Sequence, residues 1–265
     1  MSLHTYTEGA ADDGLPLVLL HGFPLDHRMW DEVARLFPAG RAVHAVDLPG
    51  TPGHATDLPE PALEASADVV AEALRGAGVE RAVVAGLSMG GYVALALVER
   101  HPELVAALAL VDTKSTADAP EARANRLRIA AEAERTGSVD PVRPMASSLL
   151  GESTMSSQPE VADQVAAWID QQEPAGIAWS QRAMAARPDR SEVLRAFDGP
   201  VVVVVGDEDT VTPVEAAEHL VATSVQARLV VVQRAGHLSS VEQPAAVAAA
   251  LADLAQAADA TSQDG

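Results

Sequence analysis

The sequence RAVVAGLSMGGYVAL, residues 81–95, joins an apolar run to a glycine-flanked serine and then to a second apolar run. The first run, Ala82–Ala85, is typical of a buried strand, and the residues after the motif are typical of a helix that faces a core. Between them, Ser88 is the centre of a G-x-S-x-G nucleophile elbow, a sharp turn that exposes a serine hydroxyl at the end of a sheet. Gly86 and Gly90 are predicted to be required, because side chains there would collide with neighbouring backbone.

The composition of the chain limits the classes of function. Its 265 residues, 48% of them hydrophobic, are enough for one large α/β domain with an insertion and a sizeable core. The formal net charge of −20 disfavours nucleic acid and anionic membrane surfaces as partners. The absence of cysteine excludes disulfides, thiolate catalysis and cysteine metal sites. Neither a secretory signal nor an apolar run of transmembrane length is found. We therefore expect a cytoplasmic protein that acts on a small molecule, as a monomer or homodimer, without nucleic-acid or membrane partners.

Short apolar runs alternate with amphipathic helical patterns along most of the chain. This order predicts an α/β fold with a mostly parallel sheet and helices on both faces. Strands are predicted at residues 2–8, 17–20, 42–48, 82–85, 104–111, 201–205 and 227–232. Besides the elbow helix, helices are predicted at residues 29–37, 62–74, 214–221 and 241–257. The small polar tail, residues 259–265, is expected to be frayed.

The alternation stops between Thr113 and Phe197. This stretch has no convincing buried strand, and prolines separate its helical patterns at residues 121–135, 159–170, 177–186 and 191–197. The prediction is a helical cap at residues 113–197, inserted into a core made of residues 1–112 and 198–265.

Polar residues that directly follow the strands are the candidates for the site, because ligands bind beyond the carboxyl ends of parallel strands. Asp209 follows the strand at 201–205, and His237 follows the last strand. The order Ser88, Asp209, His237 matches the chain order of one known catalytic triad. In such a triad, the histidine takes the serine proton and the aspartate holds the histidine in its productive tautomer.

Other residues near these strand ends have weaker claims to a catalytic role. Asp112, at the end of the strand after the elbow helix, is the second candidate for the acid. Asp207 and Glu208 are expected to be solvated.

The backbone N–H groups of Phe23 and Met89 are predicted to form the oxyanion hole. His21, directly after the strand at residues 17–20, is expected to have a structural role and not to act as the catalytic base.

Together these motifs resemble the α/β-hydrolase fold enzymes, in the branch of esterases, lactonases and peroxidase-like enzymes with a helical cap. The residues that carry the resemblance are His21–Pro24, Asp47–Gly50, Gly86–Gly91, Gly206–Pro213 and Gly236–His237, which span nearly the whole chain. The Met-Gly-Gly after the serine and the closing GHLSSVEQP are similar to 3-oxoadipate enol-lactonases and related bacterial carboxylesterases. Two features depart from the family. The N-terminal strands look shortened, and residues 51–54 read Thr-Pro-Gly-His where His-Gly-x-Ser is usual, which bears on substrate choice.

The residues and the resemblance predict a serine hydrolase that cleaves a small carboxylic ester or lactone through an acyl-enzyme. Ser88 distinguishes the chain from haloalkane dehalogenases and epoxide hydrolases, which have aspartate at the elbow. A carbon–carbon bond hydrolase with the same triad and a non-catalytic ligand-binding protein of the same fold are the alternatives. No cofactor or metal is predicted. Five arginines of the predicted cap are either solvated or available to a substrate carboxylate: Arg123, Arg126, Arg128, Arg182 and Arg187.

Overall fold

The computed structural model of the protein describes residues 3–9 and 14–263, and in that part of the chain seven strands form one sheet. The strands are β1 (Leu3–Thr7), β2 (Leu17–Leu20), β3 (Val43–Val46), β4 (Ala82–Leu87), β5 (Val105–Val111), β6 (Val201–Gly206) and β7 (Ala227–Val232). Their spatial order is β1-β3-β2-β4-β5-β6-β7. β1 is antiparallel to β3, and all other neighbours are parallel. The predicted strands are thereby confirmed, with residue 2 of the first lying outside the described residues.

The helices begin and end close to the predicted positions in most cases. They are α1 (Asp31–Leu36), α2 (Leu63–Gly76), α3 (Met89–Arg100), α4 (Pro120–Thr136), α5 (Met145–Ser148), α6 (Glu152–Ser157), α7 (Pro159–Asp170), α8 (Pro174–Ala186), α9 (Ser191–Ala196), α10 (Val214–Thr223), α11 (Ser239–Glu242) and α12 (Pro244–Gln263). Short 3₁₀ turns cover His27–Trp30 and Pro102–Leu104. None of the described helices combines the length and the apolarity needed to cross a membrane.

The strands from β2 to β6 are buried along their whole length, which explains their nearly continuous apolar sequences. α12 packs against β4, β5, β6 and β7 and against α1, while α2 and α3 pack against each other and α3 covers β2, β4 and β5. These two groups of helices cover the sheet, as predicted. The edge strand β7 is only partly buried.

The stretch between β5 and β6 contains helices α4 to α9 and no strand. α7 has the predicted bounds, Pro159–Asp170. α5 and α6 were not predicted, because their sequences, MASS and ESTMSS, show no hydrophobic period.

The C-terminal region differs from the prediction in two respects. The single helix predicted at residues 241–257 is divided into α11 and α12, because Pro244 cannot donate a backbone hydrogen bond to continue α11. The expected frayed tail is helical as far as Gln263, and residues 264 and 265 lie outside the described residues. Asp259 fixes this end, since its carboxylate accepts from the Leu15 N–H at 3.0 Å and forms an ion pair with Arg41.

Candidate active site

The turn between β4 and α3 has the geometry of a nucleophile elbow. Ser88 has φ 53° and ψ −110°, a left-handed conformation that is strained for a residue with a side chain. A Cβ atom at Gly86 would lie 2.2 Å from the Gly90 carbonyl oxygen, and one at Gly90 would lie 2.2 Å from the Leu20 carbonyl oxygen. The prediction that both positions require glycine is confirmed.

The structure brings together the three residues predicted to form a triad. The distance from Ser88 Oγ to His237 Nε2 is 2.8 Å, and the distance from His237 Nδ1 to Asp209 Oδ2 is also 2.8 Å. A carboxylate can only accept, so Nδ1 carries the proton, and Nε2 of the neutral ring is left to accept from the serine hydroxyl. Ser88 is 9% exposed, Asp209 5% and His237 2%, so little water competes for these hydrogen bonds.

The turn after β6 fixes the orientation of the Asp209 carboxylate. Oδ1 accepts from the N–H groups of Val211 and Thr212 at 2.8 and 2.9 Å, and Oδ2 accepts from the Thr212 hydroxyl at 2.7 Å. Burial raises the pKa of Asp209, but the hydrogen bond and charge of His237 and the donors of Thr212 outweigh it, so the pKa lies below its usual value. The carboxylate is therefore held ionised opposite the imidazole.

Asp112, the second candidate for the acid, serves different partners. Its Oδ1 accepts from the Gly206 N–H at 2.9 Å, and its Oδ2 accepts from the N–H and hydroxyl of Ser239 at 3.1 and 2.5 Å. Burial and the negative charge of Asp209 raise the pKa of Asp112. This geometry favours Asp209 over Asp112 as the partner of His237.

The other two acids of the turn after β6 differ from each other. Asp207 is exposed, as expected. Glu208, also expected to be solvated, instead accepts from the N–H of Ser153 at 2.8 Å and from its hydroxyl. These two donors lower the pKa of Glu208. Glu208 is partly exposed, and its attachment to Ser153 was not predicted because the sequence does not show that α6 packs against this turn.

Phe23 and Met89, predicted to supply the oxyanion hole, line the same cavity of about 10 Å³. Met89 is the first residue of α3, so its N–H has no acceptor within the helix and lies at the positive end of the helix dipole. Gly50, Thr51, Gly176, Ile177 and Ser180 are among the other lining residues. The cavity is therefore enclosed partly by the loops after β2 and β3 and partly by α8.

His21 has the structural role that was expected. Its Nε2 accepts from the Leu48 N–H at 2.9 Å, and its ring is buried, which lowers its pKa. A neutral imidazole thus ties the loop after β2 to the loop after β3.

The arginines between β5 and β6 are less solvated than expected. Arg187 is 5% exposed, forms an ion pair with Asp118 at 2.9 Å and lies over the ring of Tyr92, with the guanidinium carbon 4.0 Å from the ring centre. Arg126 also pairs with Asp118, at 2.6 Å. Arg182 forms an ion pair with Glu134. The two others, Arg123 and Arg128, are exposed, as expected.

In the described part of the chain, no group of three His, Asp or Glu side chains is arranged to hold a metal ion. The polar groups around Ser88 are instead paired with one another, as the distances above show.

Comparisons with known proteins show the family. The model of the alpha/beta hydrolase fold family matches residues 16–244, so the chain belongs to that family, which confirms the resemblance noted in the sequence. The chain is 31% identical over 249 residues to the pimeloyl-[acyl-carrier protein] methyl ester esterase of Aromatoleum aromaticum, covering 90% of this chain and 97% of that protein.

Solved structures agree with this assignment. A thermophilic esterase from Thermogutta terrifontis has a TM-score of 0.90 and 35% identity, covering 97% of this chain and 94% of that chain. The enol-lactonase from Burkholderia xenovorans has a TM-score of 0.82 at 23% identity, covering 96% of both chains, and this likeness is one of fold alone.

Proposed function

We propose that the protein is a serine hydrolase that cleaves a small carboxylic ester or lactone through an acyl-enzyme. The observation that carries the proposal is the continuous hydrogen-bonded chain from Ser88 through His237 to Asp209, with both distances at 2.8 Å. In this proposal Ser88 is the nucleophile, His237 the general base and Asp209 the residue that orients the base.

The first half of the reaction forms the acyl-enzyme. His237 Nε2 takes the hydroxyl proton as Ser88 Oγ attacks the carbonyl carbon, and the carbonyl oxygen becomes an oxyanion. The N–H groups of Phe23 and Met89 stabilise this charge, each by about 3 to 4 kcal/mol in the transition state. The protonated imidazole then donates its proton to the leaving alkoxide, and the C–O bond of the ester breaks.

The second half of the reaction reverses these roles for water. His237 takes a proton from a water molecule, the hydroxide attacks the acyl carbon, and the same two amides stabilise the second oxyanion. Collapse of this intermediate releases the acid and returns the proton to Ser88. For a lactone, the leaving hydroxyl and the acid remain in one product molecule.

The cavity beside the two amides supports a small acyl group. Its volume of about 10 Å³ leaves room for about one water molecule. Its walls cannot easily withdraw, because a Cβ atom at Gly176 would lie 1.8 Å from the Gly50 carbonyl oxygen, so the two backbones are already in contact. We therefore propose that esters with a short acyl chain are the preferred substrates.

Residues 113–197 are proposed to form a cap over the site, on a core of residues 1–112 and 198–265. Three of the hydrogen bonds between the proposed cap and the core lie at loops that follow β2 and β3. The Gly53 N–H donates to Glu173 at 2.9 Å, the Trp179 indole donates to the Pro59 carbonyl at 2.7 Å, and Gln172 donates to Asp26 at 3.1 Å. Because Gly53 lies in the Thr-Pro-Gly-His loop that departs from the family pattern, the entrance is expected to differ from that of relatives.

The relatives support an esterase, since the two most similar proteins named above are a methyl ester esterase and a thermophilic esterase. A carbon–carbon bond hydrolase remains a second candidate, because the same triad and oxyanion amides serve both chemistries. A non-catalytic ligand-binding protein is the third, and the close pairing of Ser88 and His237 counts against it.

The decisive experiment compares the unmodified protein with Ser88→Ala on short p-nitrophenyl esters, enol-lactones and vinylogous diketones. Turnover of the preferred class should fall by several orders of magnitude in Ser88→Ala. Ser156→Ala, at an exposed serine of α6, is the matched control and should retain full turnover. A serine-directed phosphonate should label Ser88 in the unmodified protein. Absence of both labelling and turnover would favour the binding protein, and a preference for diketones would favour the carbon–carbon hydrolase.

A further inference from the structure

A second buried acid holds the loop that carries His237. This histidine loop, residues 233–238, joins β7 to α11, and Glu242 lies at the end of α11. Glu242 is 3% exposed. One of its carboxylate oxygens, Oε1, accepts from the N–H groups of Gly236 and Leu238 at 2.9 and 3.2 Å, the two residues on either side of His237.

The same carboxylate also holds the stretch between α5 and α6. Its other oxygen, Oε2, accepts from the Gly151 N–H at 2.8 Å. Two residues earlier, the Leu149 carbonyl accepts from the backbone N–H of His237 itself at 2.9 Å. The backbones of the histidine loop and of the stretch between α5 and α6 are in close contact, since a Cβ atom at Gly236 would lie 2.3 Å from the Gly151 nitrogen.

We infer that Glu242 is a positioning residue for His237: its carboxylate fixes the histidine loop from both sides and joins it to residues 149–151 of the proposed cap. This inference rests on the proposed function, in which His237 is the general base. The carboxylate has two oxygens and receives three buried N–H groups, and no other side chain type of this size accepts hydrogen bonds at both ends.

The physical reason is the narrow tolerance of the proton transfer. A base must stay within hydrogen-bond reach of the nucleophile, and a shift of about 1 Å costs about 100-fold in rate. A loop of six residues would not keep this accuracy by itself. The backbone of the loop would otherwise leave the N–H groups of Gly236 and Leu238 buried without acceptors, a state that costs free energy and favours rearrangement.

The role of Glu242 is distinct from those of the two neighbouring acids. Asp112 accepts from Ser239, beyond the C-terminal end of the histidine loop. The Glu208 side chain accepts from the N–H and the hydroxyl of Ser153, whereas its contact with the histidine loop is its backbone N–H, which donates to the Ala235 carbonyl at 2.8 Å. Substitution of the Glu208 side chain therefore leaves its contact with the loop in place.

This difference provides a matched pair of variants. Glu242→Leu and Glu208→Leu each replace a carboxylate by an apolar side chain of similar size, and each removes an attachment of the stretch between α5 and α6. Only Glu242→Leu also leaves the N–H groups of Gly236 and Leu238 without their acceptor; glutamine would not, because its amide oxygen could still accept from both. We expect kcat of Glu242→Leu to fall about 100-fold with KM nearly unchanged, and kcat of Glu208→Leu to stay close to that of the unmodified protein.

A spectroscopic measurement keeps the test independent of turnover. The proton between His237 Nδ1 and Asp209 is sheltered from water, so it should give a low-field proton NMR resonance in the full-length protein. We expect this resonance to shift or disappear in Glu242→Leu and to persist in Glu208→Leu, with both variants folded by circular dichroism.

Two results would overturn the inference. One is a Glu242→Leu protein with normal kcat and an unchanged resonance. The other is an equal loss in both variants, which would assign the effect to a general loosening of residues 149–153. If no ester, lactone or diketone is hydrolysed by the unmodified protein but the resonance still depends on Glu242, the proposed function fails and the positioning role stands.

Discussion

The exchange of Asp209 for asparagine tests the triad at its most constrained point. The N–H groups of Val211 and Thr212 both donate to Oδ1 of Asp209. In Asp209→Asn the amide oxygen must stay at this position, because an NH₂ group there would face two N–H donors. The amide NH₂ is then placed where Oδ2 was, 2.8 Å from His237 Nδ1.

This orientation reverses the tautomer of the histidine. An NH₂ donor opposite Nδ1 makes that nitrogen an acceptor, which moves the ring proton to Nε2, where it faces Ser88 Oγ. The ring can then no longer accept the serine proton. The same change in a serine protease lowers kcat by about 10⁴, equivalent to about 5.5 kcal/mol of activation free energy. We expect a loss of this size, with little change in KM.

The assay is the initial rate of p-nitrophenyl acetate hydrolysis by three proteins: unmodified, Asp209→Asn and Asp112→Asn. Circular dichroism controls for folding. Asp112→Asn is the matched control, because it exchanges the same groups at a buried acid that accepts from Gly206 and Ser239 and not from the His237 ring. The reasoning is refuted if Asp209→Asn retains more than about a tenth of the activity, or if Asp112→Asn is the more damaging change, which would make Asp112 the acid.

Three further outcomes are expected. Gly90→Ala should lower the free energy of unfolding in urea by about 3 kcal/mol, because the added methyl would lie 2.2 Å from the Leu20 carbonyl oxygen; an unchanged midpoint would contradict this. The pKa of Asp112 is raised by burial from 3.8 to about 7, so its stabilising effect is complete below pH 3.8 and is lost as the pH rises towards 7. As the pH rises from 4 to 7, the free energy of unfolding should therefore fall less in Asp112→Asn than in the unmodified protein. If the two plots of this free energy against pH are parallel, the pKa shift is refuted. Ile177→Ala should improve butyrate over acetate esters about tenfold in kcat/KM, whereas Ile169→Ala, buried outside that cavity, should not.

The elbow shows how much a local pattern can predict. Strand, glycine, serine, glycine and helix follow one another without interruption in the sequence, so the turn and its steric requirement could be inferred before the structure was known. The same holds for β6, which is a continuous apolar run, and for α7, whose apolar residues recur with a clear helical period. α5 and α6 lacked such a period, and the C-terminal tail was misjudged because Asp259 is held by Leu15 and Arg41, more than 200 residues earlier.

The candidate site was predictable to a lesser degree. Chain order and strand ends selected Ser88, Asp209 and His237, and the structure places these side chains within hydrogen-bonding distance. The attachment of Glu208 to Ser153 and of Glu242 to Gly151 left no signal in the sequence, because an acid in a turn or at a helix end has the same pattern whether it is solvated or buried.

The sequence by itself determined the order of strands and helices, the elbow and the residue types available for acyl transfer, since these depend on periodicity and on steric rules that act over a few residues. Only the tertiary structure decided which acid faces His237, how little space lies beside Phe23 and Met89, and which carboxylates hold the histidine loop. Those properties arise where segments far apart in the chain meet, and their distances are set by the packing of the whole molecule.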